Sequence, residues 1–133
     1  MELTEQMRDF LSERRFAVLA TNDQDGPPQQ TVMWYELVDD YVLMNTARGR
    51  VKDSHLQRDP RASICIEDGY RYLTISGTVA LEDDQTTAQA DIARLARRYH
   101  GAQADAQIAQ FQKQHRVTIR LTIEHVIANG FDR

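Results

Sequence analysis

The sequence predicts a mainly β protein with helices, an α+β fold built on an antiparallel sheet of about six strands closed toward a barrel. Three observations lead there. Strand-like runs follow one another through short turns, as "YVLMNT" (41–46) follows "VDD". The last run, "RVTIRLTI" (116–123), alternates Val117, Ile119, Leu121 and Ile123 with polar residues, the pattern of a strand with one buried and one wet face. The helical signals sit at the start, in one short middle segment and in a late insertion, an order unlike repeated βαβ units.

The elements follow in order. Thr4 can cap a first helix, with Glu5 near its positive end, and Met7, Phe10 and Leu11 recur at helical spacing up to about Arg15. "FAVLAT" (16–21) is an apolar, branched run that stops at the turn-rich "NDQDGPP". "QQTVMWYEL" (29–37) and 41–46 read as the next two strands. A short helix follows and should stop before Asp59-Pro60, because a residue preceding proline is driven out of the helical region. "RASICIE" (61–67) and "RYLTISGTVALE" (71–82) are strands, and Gly77 inside the longer one signals a bulge or the close approach of another group. Asp83 or Asp84 caps the next helix, in which Ile92, Leu95, Ala96 and Tyr99 form one apolar stripe before Gly101 ends it. Ile108 and Phe111 support a shorter helix within 105–114, and "EHVIANGF" extends or re-bends the last strand.

Composition narrows the functional classes. A chain of 133 residues with 41% hydrophobic and 27% charged side chains is expected to form one globular domain over 1–133. Its net charge of −4 argues against a general nucleic-acid binder. No apolar run approaches the ~20 residues that span a bilayer, and the acidic, amphipathic start does not resemble a signal peptide. A single cysteine, Cys65, excludes an internal disulfide and fits a reducing cytoplasm; mid-strand between isoleucines, it reads as a small buried hydrophobe. The four histidines lack metal-ligand spacing, so no metal is expected, and the acidic pairs fall at turns or caps. Nucleophile elbows and phosphate-binding glycine loops are missing, so nothing points to a protein-supplied nucleophile.

One stretch stands apart. "NTARGRVKDSH" (45–55) gathers Arg48, Arg50 and Lys52 at the end of a strand and the start of a helix, with Asp53 as the nearby counter-charge. Free N–H groups at a helix start favour an anion, and Gly49 permits close backbone approach. Both a solvated cationic loop and an anion site fit this spacing. Trp34 and Tyr35 likewise fit either core packing or the wall of a pocket for a flat ring. Gln29, Gln30 and Thr31, just after the Gly-Pro-Pro turn, suit a ligand or solvent.

The order of "FAVLATNDQDGPPQQTVMWYE", "DYVLMNTARGRVKDSHLQRDPRASICIE" and "YRYLTISGTVALEDD" resembles the pyridoxamine-phosphate-oxidase-like superfamily over nearly the whole chain. The likeness is closer to its branch of F-420-dependent flavin/deazaflavin oxidoreductases. It is sharpest in "GRVKDSHLQRDPRAS", similar to the family's Gly-Arg-x-Lys element followed by Arg-Asp-Pro-Arg. That resemblance implies a six-stranded antiparallel split β-barrel of the FMN-binding type. It implies that Thr46, Gly49, Arg50 and Lys52, helped by Arg48, hold the cofactor phosphate. Gln30, Thr31, Val32 and Met33 would then lie along the ring and side chain. It further implies coenzyme F-420 as cofactor, with FMN as the alternative, and a homodimer with sites at the subunit interface. The implied activity is hydride transfer from reduced coenzyme F-420 to a conjugated organic acceptor, such as a tetrapyrrole of the biliverdin type, a quinone or an enone. An FMN-dependent oxidase or flavin reductase, and a non-enzymatic carrier of flavin, deazaflavin or haem, are the alternatives. The chain departs from the pattern at His55, where the family's helix is expected to carry asparagine.

Overall fold

In a computed structural model, residues 3–131 are described. The chain forms helix α1 (Glu5–Ser12), strands β1 (Ala17–Thr21), β2 (Gln29–Met33), β3 (Glu36–Val38) and β4 (Tyr41–Ala47), then helix α2 (Val51–Arg58). Strands β5 (Arg61–Glu67) and β6 (Tyr72–Glu82) follow, then helices α3 (Gln85–His100) and α4 (Asp105–Phe111) around a 3-10 turn at Gly101–Gln103. Strands β7 (Arg116–Thr122) and β8 (His125–Asn129) complete the sheet.

All strand pairs are antiparallel, in the order β2-β1-β5-β6-β7-β4-β3, with β8 also on β6. This path has to curl. Laid flat, seven strands would separate β2 from β3 by about 29 Å at ~4.8 Å per strand. Yet only Trp34 and Tyr35 join them, a reach of about 11 Å at most. The two ends of the sheet therefore come back beside each other, which makes the expected barrel with a split between β2 and the β3–β4 hairpin.

The expected strand over 29–37 is in fact two, and the reason is a pair of side chains from α3. The Tyr35 backbone N–H donates to the Tyr99 hydroxyl at 3.0 Å, and Arg98 Nε donates to the Tyr35 carbonyl at 3.1 Å. With both backbone groups taken, Tyr35 leaves the ladder. Its own hydroxyl donates to the Leu11 carbonyl at 3.0 Å, and burial pushes its phenol up to about 12. The final run re-bends at Glu124, adding β8, so eight strands replace the six anticipated.

The core fills the curl. Leu19, Val42, Met44, Ile64, Ile66, Leu73, Ile75, Ile119 and Leu121 are buried there with Phe10 and Leu11 of α1 and Leu56 of α2. The other face of β4 and β7 is not wet, contrary to the alternation in the sequence. Helix α3 lies over it, burying Arg116 and Thr118, and its Ile92, Leu95, Ala96 and Tyr99 stripe is buried as anticipated. Cys65 also departs from expectation, since it is half-buried on the outer face rather than in the core.

Candidate functional site

The loop after β4 and the start of α2 sort the cations of 45–55 into two kinds. Arg48 is neutralised from within. Its guanidinium donates to Asp53 at 3.0 Å and to Asp83 at 3.0 Å. Asp53 is fully buried and also accepts from the Gly49 N–H at 3.0 Å and from Gln57 Nε2 at 3.1 Å. These bonds hold Gly49 at a φ of 92°, a left-handed turn that suits glycine. The acid that looked like the counter-charge of the whole cluster is thus spent on Arg48 and the turn.

Arg50 and Lys52 have no such partner. Arg50 is exposed and stands at the N-cap of α2 without a side-chain capping bond, leaving the first N–H groups of the helix uncapped. Lys52 does not sit in a solvated loop, one of the two arrangements its spacing allowed, but is 7% exposed. Among the described residues its ammonium makes no hydrogen bond or ion pair. Burial, and then the charges of Arg50 and Arg116, hold its ammonium below the ordinary lysine range. Its stem is buried while its ammonium keeps contact with solvent, and two other cations nearby make that position favourable for an anion.

Arg116 was missed by the sequence reading, where it counted only as a polar position in an alternating strand. It is 6% exposed at the start of β7, opposite Ala47. Its Nε donates to Asn45 Oδ1 at 2.9 Å and its Nη1 to Gln114 Oε1 at 2.6 Å, while the guanidinium lies 4.7 Å from the Phe111 ring centroid. These acceptors are neutral, and burial, with the charge of Arg50, lowers its pKa to about 10. Asn45 is itself fixed, donating to the Ala88 carbonyl at 3.0 Å and to Thr118 Oγ1 at 3.3 Å, and Thr118 donates to Asp91 at 2.7 Å. Only the β4–β7 register, which sets position 116 beside the 48–52 loop, could have revealed it.

A groove of about 200 Å³ runs from Arg116 and Asn45 along the split, walled by Val32, Met33 and Trp34 on one side and by Ile92, Leu95 and Phe111 on the other. The other predicted residues scatter around it. Gln30 and Val32 are exposed on the outer face of β2, Thr31 and Met33 point inward, and Thr46 is buried at the end of β4. His55, in place of the expected asparagine, is buried with its Nδ1 2.9 Å from Thr21 Oγ1, a structural contact between α2 and β1. A larger cleft of about 800 Å³ is lined by Asn22, Asp23, Gln24, Arg58, Asp59 and Arg61. There Asp59 is already bonded to Arg61 at 2.7 Å and to Asn22 at 3.2 Å, so three of the six lining residues satisfy one another.

No group of three or more His, Cys, Asp or Glu side chains among the described residues is placed to hold a metal ion. Nor, among them, is any helix long and apolar enough to cross a membrane. The arrangement suits a flat organic anion, with phosphate-like charge at Arg50, Lys52 and Arg116 and apolar surface along the split. The buried, unpartnered Lys52 is the observation that fits such a group.

A family model described as pyridoxamine 5'-phosphate oxidase matches residues 3–130. A conserved hypothetical protein of Mycobacterium tuberculosis is similar in structure, with a TM-score of 0.81, 24% identity, and coverage of 100% of this chain and 91% of that one. A protein named F-420 reductase aligns with a TM-score of 0.78 and 25% identity over 94% of this chain and 98% of its own. The haem storage protein HutZ of Vibrio cholerae shares the fold at a TM-score of 0.73 and 22% identity, covering 98% and 97%.

Proposed function

The chain belongs to the pyridoxamine 5'-phosphate oxidase family, and from that premise we propose that it is an oxidoreductase using reduced coenzyme F-420 to reduce a conjugated organic acceptor. The observation that carries this reading is Lys52, largely buried and without an anionic partner, close enough to feel the charge of Arg116, which lines a groove whose walls suit a flat ring. The resemblance of 45–55 to the deazaflavin branch, and the likeness to an F-420 reductase, favour the deazaflavin over FMN.

Arg50, Lys52 and Arg116 would hold the phosphate. Arg grips two oxygens at once and Lys acts as a point charge, so the set favours a dianion. Trp34, Ile92 and Leu95 would exclude water from the ring, while Val32 and Met33 line its edge. Bound there, the reduced cofactor supplies a hydride, which is why the protein needs no nucleophile of its own. Among the described residues the groove lining has no carboxyl, imidazole or phenol, so water at the open mouth is the proton source in this reading.

The active unit in this proposal is a homodimer. Across the outer face, Val32, Val18, Cys65, Thr74 and Ile127 stand in register on five strands, and the end members Val32 and Ile127 are each 64% exposed. A row of this kind, apolar but for Thr74 and exposed at both ends, suits a second copy of the chain, which would also close the groove at Val32. Sedimentation velocity should give about twice the 15.3 kDa chain mass, and a monomer at micromolar concentration would sink this part.

Titration with coenzyme F-420 and separately with FMN, followed by cofactor fluorescence, tests the rest. Micromolar or tighter binding of F-420, with FMN at least tenfold weaker, is expected. The reverse order would move the protein to the flavin branch, and binding of neither would return Lys52 to a structural role.

A further inference from the structure

Trp34 also walls a second groove, of about 320 Å³, bounded by Arg14, Arg15, Phe16, Tyr99 and His100. We propose that this groove is a separate ligand site for a planar conjugated molecule carrying a carboxylate.

The walls are aromatic. Trp34 stacks on Tyr99 with ring centroids 5.3 Å apart and planes 13° off parallel, and Phe16 lies 5.5 Å from Tyr99 at 30°. His100 meets Trp34 edge-on at 5.3 Å. Tyr99 is fixed from below, since its hydroxyl donates to the Arg15 and Tyr35 carbonyls. The ladder is therefore rigid, and it ends on Phe16, which is 57% exposed although large and apolar. A flat ring laid against it gains stacking without reordering the wall.

The charge is cationic and only partly spent. Arg15 is paired with Glu13 at 3.1 Å and lies 3.6 Å from Asp68. Arg14 contacts only the Tyr99 carbonyl, at 3.2 Å, and has no carboxylate partner among the described residues. That bond anchors one nitrogen of the guanidinium and leaves its other donors for a ligand. The volume lies at the small end of ligand sites, about 300–1,000 Å³, which suits two or three fused rings. Because Trp34 separates this groove from the one ending at Arg116, a ligand here and a ring there would share a wall.

Trp34 is the only tryptophan, so its emission reports on this wall. The test is titration of the full chain with anthraquinone-2-carboxylate and with the neutral anthraquinone-2-carboxamide. Saturable quenching by both is expected, tighter for the carboxylate. Arg14→Ala should weaken the carboxylate at least fivefold and change the carboxamide less than twofold, Arg14→Lys should recover part of the loss, and Phe16→Ala should weaken both at least threefold. Three results would overturn the proposal: no saturable quenching, equal loss of both probes in Arg14→Ala, or loss in Arg116→Met with none in Arg14→Ala. The titration needs no cofactor, so a chain that binds these probes through Arg14 but takes up no F-420 keeps the groove and loses the reductase reading.

Discussion

Gly77→Ala is expected to destabilise the fold by about 3 kcal/mol or more, measured as a lowered urea midpoint at unchanged slope. The cause is a crossing point. The first half of β6 pairs with β8 and the second half with β7 along the same edge, so the chain between β7 and β8 bends directly over position 77. The Glu124 N–H donates to the Ser76 carbonyl at 3.0 Å, holding that bend down. A Cβ on Gly77 would meet the Thr122 carbonyl oxygen at 1.7 Å, a backbone atom that cannot swing aside. Gly49→Ala is the control. Its φ of 92° strains alanine, yet a Cβ there meets nothing within 4 Å, so a loss of only about 1–2 kcal/mol is expected. Equal effects at the two positions would refute the crossing-strand explanation.

Lys52→Met is expected to act with opposite signs on binding and on stability. Affinity for F-420 should fall by about 1–3 kcal/mol, roughly 5- to 150-fold, through loss of a charge-assisted hydrogen bond. The ligand-free protein should become more stable by up to about 1 kcal/mol, because a partly desolvated cation crowded by Arg50 and Arg116 is replaced by a side chain suited to burial. The pH dependence follows. Lys52 binds its proton less tightly when folded, so the unfolded chain holds more protons between the lowered folded value and 10.5. Ligand-free stability attributable to this group therefore rises with pH across that window, and the Met variant should lack the rise. Chemical denaturation of both proteins at several alkaline pH values reads the difference directly. A variant that loses stability at neutral pH would show that Lys52 has a structural partner and no vacancy for an anion.

Much of the molecule is legible from local pattern. Asp59-Pro60 ends α2, Gly101 ends α3, and the stripe from Ile92 to Tyr99 is buried, because each depends on short-range sterics or on one helical face. Gly77 announced a close approach without saying by what. The misreadings share a cause. The break at Trp34-Tyr35 is imposed by Tyr99 and Arg98 more than 60 residues away, and the covered face of β7 is imposed by α3. Local alternation carries no information about which distant element will lie over a strand.

The candidate site divides the same way. By itself the sequence determined that cations gather at 48–52 beside a glycine turn and a helix start, since neighbours in the chain stay neighbours in space. Which cations are free was decided only by the tertiary structure. The β6–β7 pairing brings Asp83, just past β6, to Arg48 and neutralises it, while the β4–β7 register brings Arg116 to Lys52 and adds a cation. Charge balance in a low-dielectric site is summed over everything nearby in space, and half of those neighbours here come from residues 83–116.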